Sequence, residues 1–78
     1  NDANAMSVYP NPVKDNLTIT AEAMTRITIT NTLGQVMLDE NVASDSEVIN
    51  MSQYEAGVYV VRITTESGVA VERITVVK

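Results

Sequence analysis

A chain of 78 residues holds one domain and buries only roughly 60% of its unfolded surface on folding, which leaves little room for the clefts of most enzymes. It contains no Cys and no His, which excludes a disulfide framework, Ser-His-Asp or Cys-His catalysis and a zinc site with the usual ligands. Ten acidic against five basic residues give a net charge of −5, a balance that opposes nucleic-acid backbones and anionic lipid surfaces.

Val, Ile and Thr together supply 27 of the 78 residues. Their branched side chains suit pleated strands and disfavour helices, so the expectation is an all-β domain whose core holds by packing alone. The first six residues, Asn1 to Met6, lack the basic start and apolar stretch of a secretory signal and read as a polar linker. A short strand follows at Ser7-Val8-Tyr9. Leu17-Thr18-Ile19 and Ile27-Thr28-Ile29 alternate apolar and polar residues, the mark of two half-buried strands. Between them Ala21 to Thr25 is too short for a stable helix and reads as a connection.

Asn31-Thr32-Leu33-Gly34 supplies a turn with Gly placed for positive φ, and Gln35 to Leu38 resumes an extended pattern, so a hairpin is expected. The polar stretch Asp39 to Asp45 ends that strand, Glu47 to Asn50 forms a short one, and Ser52 to Gly57 is a loop in which Tyr54 is placed to cover one end of the core. In Val58 to Thr64, Tyr59, Val61 and Ile63 face one way and Val58, Val60 and Arg62 the other, which suggests a central strand covered on both faces. Glu66-Ser67-Gly68 makes a turn into a last strand, Val69 to Val77. Its apolar parity switches between Val71 and Ile74, which predicts a β-bulge near Glu72 and Arg73. The total is about seven short antiparallel strands, the pattern of a small β-sandwich. The longest apolar run, Ala56 to Val61, is far below the ~20 residues that span a bilayer, so no direct membrane insertion is expected.

Tyr9-Pro10-Asn11-Pro12 is the most unusual local sequence. Two prolines fix φ and remove two amide donors, and Asn11 is pushed to an extended conformation by the proline after it. Such a segment terminates an edge strand; stiff and exposed, it also suits recognition, because little ordering entropy is lost on binding. The turn glycines Gly34, Gly57 and Gly68 are accounted for by backbone geometry. Asp39, Glu40, Asp45 and Glu47 lack the spacing of a calcium loop and read as a solvated face. The sequons at Asn16 and Asn50 carry no weight, since one falls in an expected strand and the pattern is common by chance. No cofactor or metal site is expected, and no catalytic pair.

Read together, Tyr9-Pro10-Asn11-Pro12-Val13, the two alternating strands, Asn31 with Leu33-Gly34-Gln35-Val36, then Gly57 to Ile63 and Arg73-Ile74-Thr75-Val76-Val77-Lys78 resemble the C-terminal sorting domain of type IX (Por) secretion cargo in Bacteroidetes. The resemblance runs from Ser7 to Lys78 with the motifs in order. It implies an Ig-like sandwich at the end of an exported protein, delivered through periplasm and outer membrane to the cell surface or medium. The implied partners are the type IX machinery: an outer-membrane translocon, a shuttle protein and a sortase-like protease that removes the domain near the linker.

By the same resemblance the recognition residues are Pro10, Asn11 and Pro12 in the early motif, Gly34 in the mid-domain turn, Gly57 and Tyr59 in a glycine-x-tyrosine motif, and Arg73 and Lys78 near the end. Arg73 stands where family members often carry Lys, keeping the charge with a different donor geometry. The last strand is expected to be captured through its backbone. The domain is expected to be a non-enzymatic monomer; the alternative is a retained Ig-like adhesion or carbohydrate- or protein-binding module.

Overall fold

The computed structural model describes residues 6–78. Five antiparallel strands follow in order: β1 (Met6–Tyr9), β2 (Asn16–Asn31), β3 (Val36–Asn50), β4 (Gly57–Thr65) and β5 (Gly68–Val76). Five replaces the expected seven because two of the expected breaks are continuous strand. Of the expected linker, Met6 belongs to β1, and residues 1–5 lie outside the described residues.

The first misread break is Ala21 to Thr25. β2 passes through it because Ala21 and Met24 bury their side chains, so the strand gains by staying paired. It bends instead: Ala23 adopts φ +57, and the β2–β3 register shifts on both sides of Met24. The second is Asp39 to Asp45, where polar residues suggested an end. Among the described residues β3 pairs only with β2, and an edge strand needs one hydrogen-bonded flank and tolerates polar side chains toward water.

The bend lets one sheet form both layers. The first half of β2 lies between β1 and the end of β3, with Val8 opposite Ile19 and Ile19 opposite Glu47. Its second half lies between the start of β3 and β4, with Thr28 flanked by Asp39 and Arg62. The sheet thus curls over itself into a sandwich-like all-β fold. The side chains that face inward from both halves, including Leu17, Ile19, Ile27, Ile29, Val61 and Ile74, form a single core in which these six are wholly shielded from solvent. Thr65 is the only buried polar side chain among the described residues; its hydroxyl donates to the Gly68 carbonyl (3.2 Å) and accepts from the Ser67 N–H (3.1 Å).

Two further expectations change. The β4–β5 register runs without a slip from Gly57 opposite Val76 to Thr65 opposite Gly68, so there is no bulge at Glu72 and Arg73. Val69 and Val71 lie on the outer face of β5, 45% and 59% exposed, and the parity switch records an outward-facing apolar stretch. For the same reason β4 is central in its hydrogen bonding but covered on one face only; Val58 remains 37% exposed.

Candidate functional site

The proline segment and the last strand form one structure. After β1 the chain crosses to β5, where the Asn11 side chain occupies the place of a neighbouring strand's peptide group. Its Nδ2 donates to the Arg73 carbonyl (3.3 Å), and its Oδ1 accepts from the Thr75 N–H (3.1 Å). Val13 continues the pairing with its backbone: its N–H donates to the Thr75 carbonyl (2.8 Å), and its carbonyl accepts from the Val77 N–H (2.9 Å). Val13 and Val76 make an isolated parallel bridge, and the Val13 side chain is fully buried.

The sequence explains this arrangement. Pro10 and Pro12 have no N–H to offer β5, and between them the Asn11 carboxamide can both donate and accept. The prolines stay exposed on either side of it. The edge of β5 from Arg73 to Val77 is therefore already occupied. Its unpaired portion, among the described residues, lies earlier, around Val69 and Val71.

The remaining residues singled out from sequence gather at the same end of the sheet. Asn31 lies opposite Tyr59, Tyr59 opposite Ile74, and Gly57 opposite Val76. Gly34, at φ +87, closes the β2–β3 turn, where its N–H donates to the Asn31 carbonyl (3.0 Å). The Asn31 Oδ1 accepts from the N–H groups of Leu33 and Gln35, both at 2.9 Å, an Asx turn that fixes the hairpin. Leu33 is left 83% exposed at the tip.

Tyr59 is buried, donates its hydroxyl to the Glu55 carbonyl (2.7 Å), and packs its ring 6.0 Å from that of Tyr54 at 45°. Tyr54 covers this end of the core as expected, its hydroxyl donating to the Met37 carbonyl (3.4 Å). Gly57, at φ +155, brings the Tyr-bearing loop into β4. Gly34, Gly57 and Tyr59 thus shape this end of the sheet. Pro10, Pro12, Arg73 and Lys78 are exposed; the Lys78 Nζ donates to the Ser52 carbonyl (2.7 Å).

Three of the four carboxylates of β3, Asp39, Asp45 and Glu47, take separate partners. Asp39 takes two bonds from Arg26, Nε to Oδ1 at 2.7 Å and Nη2 to Oδ2 at 2.6 Å. These bonds, more than any other cause, hold the Asp39 carboxyl below its ordinary value; burial opposes them, and the Arg26 charge and the Thr28 hydroxyl add to them. Asp45 accepts from the Ala23 N–H (2.9 Å), and Glu47 from the Ser44 hydroxyl (2.7 Å). Among the described residues no group of three or more such side chains converges to hold a metal ion.

The sequence profile of the "Secretion system C-terminal sorting domain" family matches residues 7–77. The chain belongs to this family. A sorting domain of this kind marks its protein for export. No curated protein matches the sequence. Among solved structures the sorting domain is similar to part of PorZ, described as an essential surface component of the type-IX secretion system of Porphyromonas gingivalis, with a TM-score of 0.81 and 23% identity. The match covers 96% of this chain and 12% of that one, and at this identity it speaks for the fold alone.

Val13 carried no role in the sequence, and Asn31 only a place in the turn. Val13 could have been found by its position, the first residue after the prolines able to donate an N–H. Asn31 could have been found by its Asx-turn spacing to Gly34.

Proposed function

We propose that this sorting domain addresses an N-terminal cargo in the same chain to the type IX secretion machinery, and is a non-enzymatic, monomeric label. The family match over residues 7–77 carries this reading. In it the cargo crosses the inner membrane by a separate signal, is met in the periplasm by the machinery, passes the outer membrane, and reaches the surface or the medium. A sortase-like protease then cuts upstream of the fold. The fold suits such a role: the exposed Pro10-Asn11-Pro12 segment is held against β5 by side-chain and backbone bonds, so it is ordered before any partner arrives and loses little entropy on capture.

The test is a reporter exported to the periplasm and fused to these 78 residues, expressed in a host with type IX machinery. Surface or medium delivery is expected, with the intact mass of the delivered reporter showing the domain removed. Reporter trapped in the periplasm overturns the reading, and delivered reporter that keeps the domain favours a retained module. Removing Ile74 to Lys78 is a poor substitute for this test. Ile74 and Val76 are core residues, at 0% and 1% exposure, and their loss unfolds the domain whatever the partner reads.

A further inference from the structure

The outer face of the layer formed by the start of β3, the second half of β2, β4 and β5 has a composition unlike the rest of the molecule. Register places Arg26 beside Thr64, Arg62 beside Thr28 and Val71, and Arg73 beside Val60. All three arginines of a chain with net charge −5 therefore share one face, with Asp39 as its carboxylate. Arg26 is held by Asp39 in the one ion pair among the described residues, so Arg62 and Arg73 are left without a carboxylate partner there. Between Arg26 and Arg62 lies a shallow depression lined also by Thr28, Val36, Asp39 and Thr64. Val36, Val58, Val69 and Val71 are exposed around it. The outer face of the other layer, with Ser7, Tyr9, Thr18, Thr20, Ser46 and Val48, presents no arginine, and the charged side chains beside Ser7 and Thr20 are the carboxylates of Glu22 and Asp45.

We propose that the arginine face is the surface on which the sorting domain docks a protein of the secretion machinery, one whose own surface presents carboxylates among apolar side chains. This rests on the sorting function proposed above and names the face that carries it. Charge complementarity selects an acidic partner, since two free guanidiniums on an otherwise acidic domain steer and orient approach from this side. The interleaved valines select a protein over a polyanionic glycan or a lipid headgroup. Arginine with apolar side chains is the mixture found at protein interfaces, while a sugar-binding face would offer aromatic rings, and this face has none. Four strands at about 4.8 Å spacing and seven residues at about 3.3 Å each give on the order of 400 Å². That is half of the roughly 800 Å² a partner contributes to a stable complex, the scale of a contact made to be released after delivery.

The experiment uses the reporter fusion in a type IX host with Arg62→Ala/Arg73→Ala, and with Ser7→Glu/Ser46→Glu as a control that reaches the same net charge on the opposite layer. Delivery at least tenfold lower for the arginine variant and within twofold of wild type for the control is expected, with thermal unfolding of both purified fusions unchanged. Arg73→Glu alone, at an exposed position, provides a second reading should the double variant unfold. A photocrosslinker at Thr64 separates the occupants: a protease-sensitive adduct lost in the arginine variant supports the proposal, and adducts to glycan or lipid alone overturn it. Wild-type delivery with equal delivery of the arginine variants also overturns it and leaves the sorting function standing. Failure of the wild-type fusion itself removes the sorting function and this face's role together.

Discussion

The last strand and the third strand both leave a sheet edge open to pairing, and the chain closes them by different means. At β5 the edge from Arg73 to Val77 is filled by another piece of the same chain, the Asn11 carboxamide and the Val13 backbone. At β3 no further strand is added, among the described residues, along the whole of Val36–Asn50, and acidic side chains at Asp39, Glu40, Asp45 and Glu47 stand along it. Charges on an edge repel further pairing without satisfying the backbone, whereas a hydrogen-bonded latch satisfies it and adds stability. The fold is held at the β5 edge and merely protected at the β3 edge: perturbing the first should cost stability, and perturbing the second should cost little.

The largest expected effect is on the β5 side. Ile74 is wholly buried, and Ile74→Ala should cost about 2–5 kcal/mol. A chain of this length has about 4–12 kcal/mol in total at typical per-residue stability, so the variant should lose a large part of its stability and unfold at clearly lower urea. Leu38→Ala on β3, where the side chain only packs against the core from its margin, should cost clearly less. Urea titration of the two variants measures the gap; equal losses would mean that the edges are equivalent.

Breaking the latch itself comes next. Asn11→Ala removes two hydrogen bonds to β5 at about 0.5–1.5 kcal/mol each, near 2 kcal/mol together. The Thr75 amide should exchange with solvent faster while the amides between β4 and β5 keep their protection. Asn11→Asp sharpens the point. It retains an acceptor for the Thr75 N–H but sets a carboxylate against the Arg73 carbonyl, so it should be less stable than wild type near neutral pH and recover in part as the carboxyl protonates below about pH 4.

On the β3 side the expected effects are smaller and of both signs. Asp45→Ala removes the acceptor of the Ala23 N–H at an exposed site, where water substitutes, and should cost under about 1 kcal/mol. Ala23→Gly should stabilise. A left-handed residue costs roughly 1–2 kcal/mol for a side chain with Cβ, and the added backbone entropy of Gly returns about 0.5–1 kcal/mol of that. Denaturant midpoints moving in opposite directions for these two variants are the check.

What the sequence made legible follows from how local each signal is. The alternation of Leu17, Ile19, Ile27 and Ile29, the Asn31 to Gly34 turn and the inward set Tyr59, Val61 and Ile63 are written in neighbouring residues, and all stand in the structure. The continuity of β2 through Ala23 is not, because it depends on β3 running alongside and on Asp45, 22 residues away, accepting the Ala23 N–H. The latch is more remote still: Asn11 and Thr75 are 64 positions apart, and a stiff Pro-Asn-Pro segment looks the same in sequence whether its amide faces solvent or a strand. The arginine face was hidden for a related reason. Arg26, Arg62 and Arg73 sit on three strands, and only the register of β2, β4 and β5 brings them onto one surface.

The smallest expected effect concerns pH and separates the two edges by their chemistry. Arg26 bonds hold Asp39 on β3 below its ordinary carboxyl value, so the folded pKa is lower than the unfolded one of about 3.9. The stability this linkage supplies is present above about pH 4 and is lost as pH falls through the folded value. Both side chains are largely open to water, 54% and 37% exposed, which keeps the contribution small and sensitive to salt. The difference in unfolding midpoint between wild type and Arg26→Ala should therefore narrow as pH drops below about 4 and shrink in high salt. The Asn11 latch has no titrating group, so the difference between wild type and Asn11→Ala should stay level across the same range. A latch difference that collapses with acid, or an Arg26 difference that does not, would mean that the hydrogen-bonded edge and the charged edge have been assigned the wrong way round.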